Sequence, residues 1–110
     1  MDGRVELVPG TLDMLVLKAL SVEPLHGFGI ARWIERITGD RLTVEEGALY
    51  PALHRLEKRG WLRSAWERSE RGRRARVYQL TAEGRSELER LTARWEGSAW
   101  AVQRILDAEG

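Results

Sequence analysis

The sequence predicts a mainly α fold of the α+β class, built as a winged helix-turn-helix with a long C-terminal helix. Three observations predict it. Apolar residues recur at helical spacing in four separate segments. Between Gly60 and Thr81 the pattern changes to two extended runs around a glycine-containing turn. The positive charge gathers in one place: residues 1–54 carry −3, residues 55–76 carry +6 and residues 77–110 carry −2, so a net charge of +1 conceals a concentrated basic segment.

The elements follow in order. Pro9-Gly10-Thr11 reads as a turn with Thr11 as N-cap. Leu12, Leu15, Val16, Ala19 and Leu20 then form the apolar stripe of a first helix over residues 11–22, which Glu23-Pro24 ends. His26-Gly27-Phe28-Gly29 opens a second helix, with His26 capping or orienting its start. Its stripe is Ile30, Trp33, Ile34 and Ile37, and Gly39 supplies the C-cap. Leu42-Thr43-Val44 is short and rich in β-branched residues, and is expected as a small strand. Glu45-Glu46-Gly47 starts a third helix with acids at the positive end of its dipole. Leu49, Leu53 and Leu56 share its inner face, and Gly60 ends it. Pro51 is expected near its first turn, where backbone N–H groups lack helical partners.

Trp61 to Arg68 and Arg74 to Leu80 are the two strands of a hairpin, joined by Ser69-Glu70-Arg71-Gly72-Arg73. Thr81 is an N-cap, and Glu83 to Asp107 is the longest helical pattern. At 110 residues the chain is one domain, or one small domain with an appendage. The expected division is a winged helix-turn-helix unit over 1–81 and a dimerisation helix over 82–110.

In a helix-turn-helix the second helix of the pair enters the DNA major groove, which is wide enough to admit it. Here that helix is the third. Its outer face presents Tyr50, His54, Arg55 and Lys58, side chains that can reach phosphates or base edges. A bland reading makes Tyr50 a boundary residue and the bases solvated surface. The hairpin tip adds Arg71, Arg73, Arg74 and Arg76, a composition suited to the minor groove or to flanking phosphates. Arg76 has a second option, since along the strand it can point back toward the protein. A different class of function, a protein-interaction module whose basic hairpin docks on an acidic partner, accounts for the same charge.

The long helix carries Leu88, Leu91, Trp95, Val102 and Ile105 at spacings of a heptad seam. So long a seam suits a second copy of the chain, giving a two-fold homodimer; the alternative is a helix folded back on its own domain. Five tryptophans in the chain are many. Trp33, Trp61 and Trp66 read as packing residues. Trp95 and Trp100 lie on the long helix, where they either fill the interface or stack a planar aromatic effector.

Other classes fare badly. The two histidines, His26 and His54, lie on different elements, and no catalytic arrangement, metal-ligand spacing or phosphate loop appears, so neither an enzyme nor a metal or cofactor is expected. There is no cysteine, no apolar run of signal-peptide length and no stretch approaching a membrane span. The expected setting is the cytoplasm.

Four stretches carry a family resemblance: Pro9-Gly10-Thr11-Leu12-Asp13; Leu25-His26-Gly27-Phe28-Gly29-Ile30; Gly47-Ala48-Leu49-Tyr50-Pro51-Ala52-Leu53-His54-Arg55-Leu56-Glu57; and Gly72-Arg73-Arg74-Ala75-Arg76-Val77-Tyr78-Gln79-Leu80-Thr81-Ala82-Glu83-Gly84. Together, over residues 8–85, they resemble the PadR-like transcriptional regulators of the short type with a single C-terminal helix. The resemblance implies a dimeric bacterial or archaeal repressor that contacts double-stranded operator DNA around Tyr50 and through the wing arginines. It also implies that Trp95 matches the tryptophan that stacks ligands in the family's drug-binding members. Ala48 and Phe28 stand where the family often has a hydroxyl, which shifts the expected phosphate contacts toward the arginines. Ala99 offers no charge for a cationic drug.

Overall fold

The computed structural model describes residues 3–68 and 71–110. The elements are α1 (Leu12–Val22), β1 (Leu25–His26), α2 (Gly27–Ile37), α3 (Glu46–Lys58), β2 (Leu62–Arg68), β3 (Arg74–Leu80) and α4 (Ala82–Leu106). The sheet is antiparallel with order β1-β3-β2. Helices α1, α2 and α3 close on one core that includes Val16, Leu17, Ile30, Ile34, Leu49, Leu53, Leu56, Leu62 and Tyr78. Burying each of its leucines contributes about 1.5–3 kcal/mol.

Local chemistry sets the boundaries. His26 caps α2, its Nδ1 accepting from the Gly29 N–H at 2.9 Å. Both α2 and α3 end in a Schellman motif. In α3 the Gly60 N–H donates to the Glu57 carbonyl and the Trp61 N–H to that of Leu56, with Gly60 at φ +82°. Gly39 plays the same part after α2, with φ +57°. Trp33 and Trp61 pack against the core as expected.

Four expectations change. Thr11 is not a side-chain cap: its hydroxyl turns back and donates to the Val8 carbonyl at 2.6 Å. Leu42-Thr43-Val44 forms no strand. Its amides are taken by side chains at the end of α2, Leu42 by Thr38 Oγ1 at 3.1 Å and Val44 by the Glu35 carboxylate at 3.3 Å. The third strand is instead Leu25–His26, which pairs with Tyr78 and Val77 of β3. Pro51 sits inside α3 rather than on its first turn. It denies the Gly47 carbonyl its helical donor, and that is tolerated because Gly47 and Pro51 both face solvent. Gly72, at φ +78°, takes the left-handed place expected in the hairpin turn, whose Ser69 and Glu70 lie outside the described residues.

One junction joins the wing to α4. The Thr81 hydroxyl donates to the Gly60 carbonyl at 2.7 Å and accepts from the Gly84 N–H at 2.9 Å. The Thr81 N–H donates to the Trp61 carbonyl at 3.2 Å. Gly84 is buried against that same carbonyl: a Cβ there would run into the Trp61 oxygen and lie 2.8 Å from Leu80 Cδ1. Past this point α4 rests Leu88 and Leu91 on the core, and from Ala93 onward every residue is exposed. The projecting helix stretches the molecule to 62 × 36 × 22 Å.

Two glycines of one helix therefore respond oppositely to the same change. Gly84→Ala should lower stability by about 1–3 kcal/mol, the range for forced overpacking. Gly97→Ala meets open space and should stabilise by up to about 1 kcal/mol through helix propensity. Urea midpoints of the two variants check both signs. A neutral Gly84→Ala would mean that α4 does not seat on Trp61.

Candidate nucleic-acid interface

The outward face of α3 follows from its inward one. With Leu49, Ala52, Leu53 and Leu56 buried, the helical period leaves Tyr50, His54 and Lys58 exposed. Tyr50 is 45% exposed, and its ring lies on Gly27 at the start of α2. A Cβ on Gly27 would meet Tyr50 Cε1 at 2.9 Å and its hydroxyl at 3.0 Å. The glycine of His26-Gly27 thus makes room for the ring, which holds the tyrosine beside the N-terminus of α2. Phe28, also exposed, stacks on His26 at 6.3 Å between centroids.

Arg55 takes another course. It reaches across to α1 and pairs with Asp13 at 2.5 Å, so its charge is matched within the fold. The ion pair ties α3 to α1 on a partly exposed surface, where such pairs are worth little in stability.

On the wing, Arg71, Arg73, Arg74 and Arg76 are all exposed. Arg76 does point back, the second option open to it from the sequence. Its Nε donates to Ser64 Oγ at 2.7 Å and its Nη2 lies 3.5 Å from the Glu57 carboxylate. Ser64 in turn donates to Glu57 at 2.5 Å. Glu57, in the last turn of α3, therefore braces the wing. Burial pushes the nearby Tyr78 hydroxyl above its usual range, with Arg76 opposing and Glu57 adding to the shift. His54, Glu57, Lys58 and Arg76 line an open groove of about 520 Å³ between α3 and the wing. Three bases and one carboxylate on its walls make it a fit for a phosphate backbone.

Trp66 is not the packing residue expected. It is 55% exposed, and the guanidiniums of Arg74 and Arg76 lie over its ring at 5.2 and 5.6 Å. Trp66, Glu57 and Asp13 are the side chains of this surface that sequence reasoning missed. Strand pairing, which sets Trp66 opposite Arg76, was the signal that could have found the first.

The residues expected on the tail separate into two groups. Leu88 and Leu91 pack against the core of their own chain, whereas Val102 and Ile105 are exposed. Trp95, 41% exposed, lines a groove of about 300 Å³ with Val8, Pro9, Met14, Leu91 and Arg94. Trp100 is not in that groove; Arg104 lies over its ring at 5.6 Å. The two tryptophans are thus not brought together within one chain.

A three-helix core, a hairpin wing and a basic outer face on the second helix of the pair define the winged helix-turn-helix class. The model of the transcriptional regulator PadR-like family matches residues 16–90. Among solved structures, a transcriptional regulator from Clostridium thermocellum is similar with a TM-score of 0.82 at 26% identity, over 89% of this chain and 95% of that one. A PadR family transcriptional regulator from Eggerthella lenta gives 0.80 at 31% identity, over 91% of this chain and 85% of that one. A 37.1 kDa protein of a Streptomyces fradiae transposon is 47% identical over 78 residues, which are 71% of this chain and 21% of that protein. The chain belongs to the PadR-like family of transcriptional regulators.

Proposed function

We propose that the protein is a sequence-specific repressor that acts in the cytoplasm and binds operator DNA as a homodimer. Residues 1–81 form the DNA-binding unit and residues 82–110 the dimerisation helix. The observation that carries this reading is the groove between α3 and the wing, where His54 and Lys58 face Arg76. Helix α3 enters the major groove, with Tyr50 at its leading end and Lys58 at its trailing end. Arg71, Arg73 and Arg74 follow the adjoining backbone or minor groove. Arg55 acts from behind this surface through Asp13, while Arg76 lines the groove in its pairing with Glu57.

The second half of α4 leaves Trp100, Val102, Ile105 and Leu106 exposed on a helix that has left its own core. A two-fold copy covers such a face and sets two recognition helices about 34 Å apart, one turn of DNA. Leu88 and Leu91 seat the helix on its own domain and continue the seam at its root. The groove beside Trp95 is where a planar aromatic effector stacks and shifts the dimer away from its DNA-binding geometry. Arg94 on its wall favours an effector that is not cationic.

Three outcomes are expected. Arg73→Ala with Arg74→Ala should weaken binding to all duplexes and lower the salt slope by roughly 2. Mobility shifts on the DNA upstream of the protein's own gene, over a salt series, measure both, and an unchanged slope removes the wing from the interface. Val102→Asp with Ile105→Asp should give monomers in sedimentation while the protomer still melts cooperatively, because both sites are exposed in the single chain. A surviving dimer would place the interface elsewhere. Trp95→Phe should weaken the quenching of tryptophan emission by planar aromatic compounds several-fold; equal affinity would take Trp95 out of the effector site.

A further inference from the structure

We infer that Trp66 is a positioning residue for DNA binding, which holds Arg74 at a fixed place on the wing; this rests on the DNA-binding reading above. Strand register sets the geometry. Ser64 pairs with Tyr78, Trp66 with Arg76 and Arg68 with Arg74, so these six side chains share one face of the ribbon. Tyr78 is only 7% exposed, which turns that face toward the core and α3. Further out the same face leaves the core, and its Arg76 lines the groove against α3.

An indole this exposed gains little from burial. What it touches is charge: two guanidiniums over one ring. The two arginines differ in their anchoring. Arg76 is held by Ser64 and by Glu57, in the last turn of α3. A connected path therefore runs from Glu57 through Arg76 and Trp66 to Arg74, from the recognition helix out along the wing. Stacking uses the flat face of a guanidinium and leaves its N–H edge for a phosphate. An arginine held in this way has less rotamer freedom to lose on binding. Charge counting alone misses this contribution, because Trp66 carries none.

The test compares Trp66→Leu and Trp66→Phe with the wild type on the duplex upstream of the protein's own gene, over a salt series. Trp66→Leu should weaken binding several-fold, up to about tenfold, the cost of ordering one freed arginine side chain on the DNA. The salt slope should stay unchanged, since no phosphate partner has been removed. Trp66→Phe should recover most of the affinity, and both variants should still melt cooperatively, Trp66→Leu with a small drop in midpoint from the lost ring contacts. Adding Trp66→Leu to Arg74→Ala should cost less than Trp66→Leu does alone. Wild-type affinity in Trp66→Leu overturns the inference, and so does a Phe variant no better than Leu. Full additivity with Arg74→Ala would do the same. A wild-type protein that binds no duplex overturns the DNA-binding reading itself, an outcome distinct from tight wild-type binding that ignores Trp66.

Discussion

The structure depends on a few backbone groups around Thr81. The Gly60 carbonyl lies just past α3, the Trp61 carbonyl just before β2, and both accept from Thr81, which follows β3 and caps α4. Gly84 then lets α4 approach without a side chain in between. Helix α3, the wing and α4 are thus fixed to one another within a few residues, through the Thr81 hydroxyl and the main-chain groups around it. A hydroxyl that donates to one segment and accepts from the other, beside a direct main-chain bond, sets the angle between α3 and α4 at this point.

Electrostatics builds on that frame selectively. The sequence segment of +6 does not become a uniform positive surface. Asp13 takes Arg55, and Glu57 with Ser64 takes Arg76. Elsewhere Glu87 is held below its ordinary range by hydrogen bonds from Arg90, a local pairing within α4. What stays turned outward is Tyr50, His54 and Lys58 on the helix and the remaining wing arginines. Long-range attraction to a polyanion depends on the total charge. Contact geometry depends on which cations are tethered, and Arg55 and Arg76 are tethered to carboxylates.

Most of the architecture was legible in the sequence because it rests on periodicity and on local end signals. The leucines of α3, the His26 and Thr81 caps and the glycines after α2 and α3 act within four residues of themselves. What escaped depends on neighbours distant in the chain. A two-residue strand such as Leu25–His26 carries no period, and it exists only because β3 offers it an edge. Leu42-Thr43-Val44 has the composition of a strand but no partner strand. The pairing of Arg55 with Asp13 spans 42 residues, and that of Arg76 with Glu57 spans 19. On the tail, spacing alone put Leu88 and Leu91 in one seam with Val102 and Ile105. The fold shows that the first two face home and the last two do not.

The outer half of α4 carries a consequence of its own. The last fourteen residues of α4 are all exposed, so little packing supports them, and Gly97 in their middle weakens the helix further. Order in this stretch is therefore not guaranteed by the protomer that carries it. A partner that covered Trp100, Val102 and Ile105 would add cohesion to the segment and so couple docking to its local order. Dilution then acts on the backbone itself, loosening the same arm that would hold two reading heads at a set distance.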